Sequence, residues 1–283
     1  MIFKILRAIK ERRFLYSIRH RLIYNYDIDP VYYYSIFFNK PYLGKLYYTN
    51  QLGDERKIHF EKVLNIVKNK NEDNEGLNLL EIGAWGGAST LYWAKKLSEI
   101  NLNSKIITID LWDTYEEISN DYSKHHNRQK MKDANKDDKM YKIFLHNLKS
   151  SKLKNISFIR GKSQDVMKLL NDQSFDIIYI DGDHSYNGCK NDILQAKRLI
   201  KNNGIICGDD LEKQYFEIDK RYTDKNSKDY INHKTLDYSL IDKDNNGSGY
   251  LTETHLGVSA AVNEEFGKVE MYDGFWFKEI KSN

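Results

Sequence analysis

The sequence predicts an α/β protein built on a doubly wound, mostly parallel sheet of seven strands, with an antiparallel hairpin at its C-terminal end. Two observations support this prediction. Short apolar runs alternate with helical segments from about residue 56 to residue 209, which is typical of a parallel sheet. Two further strand-like runs surround the dipeptide Asp273-Gly274, which is a strong signal for a tight turn.

Each element of this sheet follows from the spacing of its apolar residues. Seven strands are predicted, at residues 77–82, 105–110, 156–160, 175–181, 204–209, 269–272 and 275–280. Five helices are predicted, at residues 55–69, 88–97, 164–170, 188–200 and 257–266. Two charged or polar stretches, 112–140 and 212–255, are predicted as insertions in a domain that spans residues 56–283. The second is expected to be a polar loop, and its residues 242–253 are expected to form a flexible part over the acceptor pocket.

Residues 1–55 form a separate basic and aromatic accessory segment. Its apolar residues are spaced as one face of a helix: Ile5, Ile9, Phe14, Leu15, Ile18 and Leu22. We expect this helix to pack on the main domain or on another subunit of a homo-oligomer. A basic amphipathic helix could instead contact an anionic membrane through residues 1–24.

The amino-acid composition limits the classes of protein to which the chain can belong. Of 283 residues, 40% are hydrophobic and 30% are charged, which suits a soluble domain with a sizeable core. The net charge of +3 is too small to indicate nucleic-acid binding. Cys189 and Cys207 fall in a predicted helix and strand, so no disulfide framework is expected. With no secretory pattern and no long apolar run, we predict a cytoplasmic protein.

A glycine turn after the first strand predicts a nucleoside site. The turn contains Gly83, Gly86 and Gly87, which let backbone approach a ligand closely at a helix start. Trp85 stands where a dinucleotide fingerprint needs glycine, and its ring would obstruct a diphosphate. The turn therefore suits a nucleoside without phosphates better than NAD.

Further strand ends complete this site. Asp110 ends the second strand and can accept hydrogen bonds from a ribose diol, with a solvent-facing strand-end acid as the alternative. Residues 161–164 follow the third strand and are expected to line the adenine edge. Among them, Ser163 could equally cap the next helix.

Acidic residues at two other strand ends predict a cation site. Asp181 follows the fourth strand, and Asp209 and Asp210 follow the fifth. Such carboxylates repel one another strongly unless a cation lies between them. Oxygen ligands favour a hard divalent ion, Mg²⁺ by default, with Mn²⁺ or Ca²⁺ as alternatives. The alternative is that one or two of these acids cap the helices that follow them and do not bind a cation.

Together these motifs resemble class I S-adenosylmethionine-dependent methyltransferases, which have a Rossmann-like fold. The resemblance rests on residues 80–87, 109–110 and 175–184. More narrowly, residues 181–186 and 208–210 are similar to metal-dependent sugar O-methyltransferases of macrolide, aminocoumarin and surface-polysaccharide pathways. The resemblance extends from about Tyr47 to the C-terminus but does not include residues 213–254.

The resemblance implies an O-methyltransferase that acts on a sugar or sugar nucleotide in a bacterium, for example in capsule biosynthesis. It places the cofactor on Glu81, Gly83, Trp85, Gly86, Gly87, Asp110, Ser163 and Asp181. It places the metal on Asp181, Asp209 and Asp210. A phenol, a catechol or a phosphate-derived group remains possible as acceptor.

Two residues are candidates for the base that deprotonates the acceptor hydroxyl. The intrinsic pKa of histidine suits this role in His184, which lies three residues after Asp181. Asp183 would point to the same face if the turn stays extended. His255, before the last helix, could line the acceptor site or cap the helix that follows.

Two further hypotheses compete with the methyltransferase. Residues 242–253 match the EF-hand loop pattern, but Gly249 replaces the apolar residue that pairs with a partner loop. An iron-dependent hydroxylase would need two histidines and a carboxylate. Only His184 and His255 are available in the sequence for that purpose.

Overall fold

The structure is a computed structural model, and it describes residues 13–49, 52–70, 75–113, 133–232, 239–243 and 251–281. The strands are β1 (Asn78–Ile82), β2 (Lys105–Asp110), β3 (Ile156–Arg160), β4 (Phe175–Ile180), β5 (Ile200–Leu211), β6 (Ser239–Lys243), β7 (Leu251–His255), β8 (Glu270–Tyr272) and β9 (Gly274–Glu279). The helices are α1 (Arg13–Tyr26), α2 (Pro30–Phe37), α3 (Asp54–Lys70), α4 (Ala88–Ile100), α5 (Lys139–Ser151), α6 (Ser163–Val166), α7 (Tyr186–Leu199), α8 (Lys220–Thr223) and α9 (Leu256–Phe266).

Seven strands form one sheet in the order β3-β2-β1-β4-β5-β9-β8. The pairs among β1 to β5 are parallel, whereas β9 runs antiparallel to β5 and β8 antiparallel to β9. This confirms the predicted mostly parallel sheet with a C-terminal hairpin. The carboxyl ends of β1, β2, β3 and β4 therefore share one edge, where ligands bind in such sheets.

Alternate side chains of each central strand enter two separate cores, one on each face of the sheet. On one face, Leu80 and Ile178 pack with helices α7 and α9. On the other, Leu79 and Tyr179 pack with helices α3 and α4. A strand with both faces buried reads as a continuous apolar run, which is how β1 and β4 appear in the sequence.

Several boundaries differ from the sequence prediction. The helix predicted at 188–200 begins two residues earlier, because the Ser185 side chain accepts a hydrogen bond from the Gly188 amide and starts the helix. The helix predicted at 164–170 is only the short α6, followed by a 3-10 turn. The fifth strand is longer than predicted because it continues through residues 200–203 and 210–211.

The insertion 212–255 was predicted as a loop, and that prediction was wrong for its described part. It contains α8 and the antiparallel pair β6 and β7. In the insertion 112–140, residues 114–132 lie outside the described residues, and Trp112 is buried. No helix in the described ranges combines the length and the apolar character needed to cross a bilayer.

Cys189 and Cys207 are both buried and unbonded, as the sequence predicted.

Candidate active site

The carboxyl ends of β1 to β4 form an accessible edge above a buried sheet. Strand residues such as Leu80 and Ile178 are fully buried, whereas Gly83, Asp110 and Asp181 beyond the strand ends are partly exposed. The loop after β3 is also partly exposed. Several predicted cofactor and metal residues thus lie at one edge of the sheet with part of their surface exposed.

The glycine turn requires glycine for steric reasons. Gly83 has a φ of 89°, and a Cβ atom added there would lie 1.8 Å from the carbonyl oxygen of Asp181. Gly87 has a φ of 85° and caps α4, while an added Cβ at Gly86 would meet the Thr49 side chain. The turn between β1 and α4 therefore packs directly against the end of β4.

We expect Gly83→Ala to destabilise the fold by at least about 3 kcal/mol, since the backbone would have to move to avoid the Asp181 carbonyl. Chemical denaturation measures this loss. Gly53→Ala is the matched control, because an added Cβ at Gly53 meets nothing within 4 Å. Equal denaturation midpoints for the two variants would contradict the close approach.

Asp110 holds the glycine turn in place. One carboxylate oxygen accepts hydrogen bonds from the Ala84 and Trp85 amides, both at 2.8 Å, and the other accepts from the Trp112 amide at 2.7 Å. Burial raises the pKa of Asp110 even though these bonds favour its ionised form. Its side chain therefore shapes the turn, and only its remaining lone pairs are available to a ribose.

Trp85 and Trp112 form one wall beside this turn. The Trp85 indole donates to the Tyr47 carbonyl at 3.1 Å, and the Trp112 indole donates to the Trp85 carbonyl at 2.8 Å. Trp112 is buried and its ring lies 4.4 Å from the ring of Phe144. Both indoles are thus tied to backbone carbonyls of the turn and of the segment before it.

Glu81 and Ser163 lie below the edge. Glu81 is fully buried and accepts a 2.5 Å hydrogen bond from Thr90 in α4, and burial raises its pKa to about 7. Ser163 donates at 2.6 Å to the buried Asp192 of α7. Both predicted cofactor residues thus support helices around the site, with Ser163 partly exposed at its rim.

Asn147 of α5 ties the glycine turn to the N-terminal segment, a contact that the sequence did not reveal. Its side-chain amide is fully buried and donates to the carbonyls of Tyr42 and Gly86, both at 2.8 Å. Its oxygen accepts from the Tyr42 amide at 2.5 Å. All three backbone groups depend on this one side chain.

We expect Asn147→Ala to lower the free energy of unfolding by about 3 kcal/mol, because buried backbone groups of Tyr42 and Gly86 lose their partner. Denaturant titration gives the value. Asn65→Ala is the control, since Asn65 also lies in a helix but is exposed. A loss below about 0.5 kcal/mol in Asn147→Ala, as for surface changes, would contradict this role.

The structure brings the three predicted metal ligands together. One oxygen each from Asp181, Asp209 and Asp210 lies within 4.8 Å of the other two. Asp181 follows β4, and its carboxylate accepts a 2.9 Å hydrogen bond from the Tyr179 hydroxyl. Asp209 is almost completely buried, and Asp181 and Asp210 are partly exposed.

A bulge in β5 explains how two consecutive acids reach one point. Successive side chains of a regular strand point to opposite faces of the sheet. The register of β5 against β9 shifts between Gly208 and Leu211, and Asp210 has a φ of 60°. This irregularity turns Asp210 toward Asp209 and Asp181, a frequent role of bulges beside functional sites.

The electrostatics of the cluster indicate a need for positive charge. Burial, then the charges of Asp210 and Asp181, raise the pKa of Asp209 well above its usual range. Arg56 of α3 pairs with Asp209. Burial disfavours its charged form, but nearby negative groups outweigh this and raise the Arg56 pKa. One arginine does not balance three carboxylates.

His184 lies at the centre of the cluster. Its Nε2 atom is 3.0 Å from an Asp210 oxygen and 3.6 Å from an Asp181 oxygen. Burial opposes protonation of the ring, but the charge of Asp210 and the contacts with Asp181 raise the His184 pKa well above 6.5. In return, the charge of His184 outweighs burial and lowers the pKa of Asp210.

Asp183 takes a different position from the one expected for a base. Its carboxylate accepts a 2.9 Å hydrogen bond from the Ser185 amide and lies against Gly188, where an added Cβ would clash with it. The turn after Asp181 is therefore not extended. It directs Asp183 to the start of α7 and leaves His184 among the metal-ligand candidates.

His255 also differs from the expectation of a helix cap. It occupies the N-cap position of α9, but its side chain makes no capping hydrogen bond. Instead, Nδ1 lies 2.9 Å from Glu212 and 3.8 Å from Asp210. Its ring centre is 5.2 Å from that of His184. His255 therefore forms a second wall of the cluster together with Glu212.

The residues present suit a divalent cation. The Nε2 atom of His184 is buried and makes no hydrogen bond of acceptable geometry, despite its short distance to Asp210. An ion among the three carboxylates would offset their mutual repulsion and leave this nitrogen beside it for proton transfer. Carboxylate oxygens are suitable ligands for Mg²⁺, Mn²⁺ or Ca²⁺.

The EF-hand pattern at 242–253 lies in a different setting. Its two ends belong to β6 and β7, which pair with Asp242 opposite Thr252 and Ile241 opposite Glu253. Residues 244–250 lie outside the described residues. An EF-hand loop joins two helices, so strands at both ends are inconsistent with that motif.

A family comparison gives the fold and site a functional meaning. Residues 80–211 match the model of a family described as "Methyltransferase domain". This segment is thus similar to a methyltransferase domain. The matched segment contains the glycine turn, Asp110, Ser163, the three clustered acids and His184. Arg56 and His255 of the same cluster lie outside it.

One solved structure shares the fold at a TM-score above 0.5, and two others are similar at lower TM-scores. The O-methyltransferase NovP is 11% identical, with a TM-score of 0.52 over 95% of this chain and 99% of that chain. TomG from Streptomyces achromogenes, an O-methyltransferase of tomaymycin synthesis, is 12% identical, with a TM-score of 0.44 over 88% and 86%. CalS11, a TDP-rhamnose 3'-O-methyltransferase, is 12% identical, with a TM-score of 0.44 over 93% and 92%.

A search of curated proteins gave no match. The family match nevertheless confirms the prediction of a methyltransferase enzyme. The sequence reasoning missed Arg56, Asn147 and Glu212, which lie in segments without a motif. Tyr179 could have been found, because a strand residue two positions before Asp181 points to the same face.

Proposed function

We propose that this methyltransferase moves a methyl group from S-adenosylmethionine to a hydroxyl of a sugar or sugar nucleotide with the help of a divalent cation. The observation that carries the proposal is the gathering of Asp181, Asp209 and Asp210 within 4.8 Å, directly beside the glycine turn. A cluster of this kind next to a nucleoside site fits group transfer assisted by a metal.

The cofactor residues follow from the accessible edge. The glycine turn and Asp110 would hold the ribose side, and the loop that begins α6 would line the adenine. The partly exposed strand ends leave this path open. Bound there, the sulfonium compound supplies an electrophilic methyl group, and the cation supplies positive charge that favours a deprotonated acceptor oxygen.

The chain's own residues would orient the acceptor and take its proton. Asp181, Asp209 and Asp210 would hold the cation, with Tyr179 fixing the Asp181 carboxylate. With positive charge bound among the carboxylates, they would no longer hold a proton on His184, and its Nε2 atom, which faces the cluster, would accept the hydroxyl proton. Arg56, which pairs with Asp209, and His255, which lies 3.8 Å from Asp210, would position the acceptor.

The sugar class rests on the resemblance of residues 181–186 and 208–210 to sugar O-methyltransferases. It would place the enzyme in surface-polysaccharide or natural-product biosynthesis. A phenol, catechol or phosphate-derived acceptor needs similar acids and is the main alternative. A homo-oligomer and a membrane contact through residues 1–24 stay predictions.

A hydroxylase is the second candidate because His184, His255 and Asp210 form a group of two histidines and one carboxylate. In this structure, however, the Nδ1 atom of His255 is bound to Glu212. Oxygen consumption that depends on Fe(II) would support the hydroxylase. Methyl transfer with Mg²⁺ and no oxygen consumption would exclude it.

The acceptor can be tested with methyl-labelled S-adenosylmethionine and a panel of nucleotide sugars, free sugars and catechols. We expect label in a nucleotide sugar or sugar, at a rate at least about tenfold above that with catechol. Preferred labelling of catechol would overturn the sugar class. No labelling of any acceptor with Mg²⁺ or Mn²⁺, while the protein still binds S-adenosylhomocysteine, would overturn O-methylation of these classes.

A further inference from the structure

The N-terminal helices carry most of the exposed apolar surface. Twelve of the nineteen large apolar side chains that are exposed in the described part of the chain lie between residues 15 and 43. Phe37 is the most open of these twelve, with 82% of its surface exposed. We call α1, α2 and residues 38–45 the N-terminal face. Concentrated apolar surface of this kind marks an interaction site.

The helix α1 turns much of its apolar stripe outward, so of the two predicted packing partners, the main domain or another subunit, the main domain does not cover it. Leu15 and Ile18 of this stripe are exposed, and Ile23 is buried instead. Arg19 reaches inward and pairs with Asp29 through two hydrogen bonds of 2.6 and 2.8 Å. The stripe therefore faces away from the described domain.

Basic groups stand among these exposed rings. The Lys40 ammonium lies 5.8 Å from the centre of the Tyr34 ring, and the Lys45 ammonium lies 3.2 Å from the Tyr16 hydroxyl. Tyr34 and Phe38 have ring centres 4.4 Å apart. Lysine stems and aromatic rings with polar tips suit the boundary between water and lipid.

The N-terminal segment also carries an excess of positive charge. Residues 1–45 contain nine Lys and Arg against three Asp and Glu, a net charge of +6, although the whole chain carries only +3. The one buried acid of the face, Asp29, is already paired with Arg19. The remaining chain is therefore net negative, and the positive charge is concentrated in this segment.

Buried polar contacts fix the face to the folded domain. Asp29 is fully buried and accepts a 2.5 Å hydrogen bond from the Tyr42 hydroxyl. Tyr42 in turn is bound through its backbone to Asn147, which also contacts the glycine turn. These hydrogen bonds hold the helices that carry the exposed rings against the domain, so the exposure of the rings is a property of the fold.

We propose that the N-terminal face binds the surface of an anionic lipid bilayer. Apolar and aromatic side chains would enter the interface, while the basic groups meet the lipid phosphates and net negative charge. A second copy of the chain is a poorer occupant, because a symmetric contact would bring together two faces whose residues 13–45 each carry five Lys and Arg against two Asp, a net charge of +3. This proposal does not depend on the reaction or its acceptor.

Co-sedimentation of the full chain with vesicles tests the proposal. We expect binding to phosphatidylcholine vesicles that contain phosphatidylglycerol, and much weaker binding to phosphatidylcholine alone. Lys40→Glu with Lys45→Glu should weaken binding by about twentyfold or more, since each basic residue near an anionic surface contributes about fivefold. Phe37→Ser with Phe38→Ser should weaken it by about tenfold or more.

The matched control is Leu102→Ser with Leu169→Ser, which removes two side chains that are 88% and 84% exposed outside the N-terminal face. This variant should bind anionic vesicles like the unchanged protein. Equal losses in control and test variants would overturn the proposal, as would equal binding to neutral and anionic vesicles. A dimer in solution that Phe37→Ser dissociates, without vesicle binding, would assign the face to a second copy.

Discussion

Asp210→Asn is expected to lower kcat/KM for methyl transfer by at least about a hundredfold, because a cation ligand is worth several kcal/mol of charge stabilisation. Asp210 contributes an oxygen within 4.8 Å of both other acids and lies 3.0 Å from His184. The affinity for S-adenosylhomocysteine should change by less than about threefold, because the glycine turn and Asp110 remain intact. Steady-state kinetics and calorimetry give the two values.

Asp137→Asn provides the control for this variant, since Asp137 is an exposed aspartate away from the cluster. It should leave both kinetics and cofactor binding unchanged. If Asp210→Asn kept more than about a tenth of the activity, the carboxylate would not be a ligand to a required ion. If it lost activity and cofactor affinity together, the cluster would instead belong to the cofactor site.

His184→Gln is expected to lower kcat by about a hundredfold to ten-thousandfold, the usual effect of removing a general base. Asp183→Asn should lower kcat by less than about tenfold, because this carboxylate bonds the Ser185 amide at the start of α7 and not the cluster. Comparison of the two variants therefore separates the two candidate bases that the sequence left open.

The readout that distinguishes a base from a structural residue is the pH profile. A base that acts in the rate-limiting step imposes a rise of kcat with pH, and His184→Gln should flatten that limb while Asp183→Asn keeps it. Denaturation midpoints of both variants check that the fold persists. The opposite pattern, with Asp183→Asn the slower and flatter enzyme, would move the role to Asp183.

The periodicity of apolar residues was sufficient to predict the sheet. Strands buried on both faces, such as β1 and β4, give continuous apolar runs that end at a turn, and the turn residues mark the ligand edge. The positions of Asp181, Asp209 and Asp210 at neighbouring strand ends then follow from topology alone. Their convergence needed one more feature, the bulge at Asp210, which no periodicity signals.

Other parts of the site depend on contacts between distant segments. Arg56 reaches Asp209 from a helix that precedes the whole sheet, and Asn147 joins the glycine turn to Tyr42. Such pairings are set by packing between elements, which sequence spacing does not encode. The outward direction of the α1 stripe is a similar case, because the inward Arg19 pairs with Asp29.

The insertion after β5 shows a third reason why the sequence did not predict part of the structure. Its polar composition resembles a loop, yet β6 and β7 pair across it. A two-stranded ribbon exposes much of its surface, so its residues lack the apolar run on which strand prediction depends. The same polar residues produced the apparent EF-hand pattern.

The central claim is that one divalent cation, held by Asp181, Asp209 and Asp210, is required for methyl transfer. The most direct measurement is the rate of transfer from labelled S-adenosylmethionine after dialysis against EDTA and after addition of Mg²⁺ or Mn²⁺. We predict that chelation lowers the rate by at least about a hundredfold and that the added ion restores it. An unchanged rate in EDTA, with ion removal verified by elemental analysis, would contradict the claim.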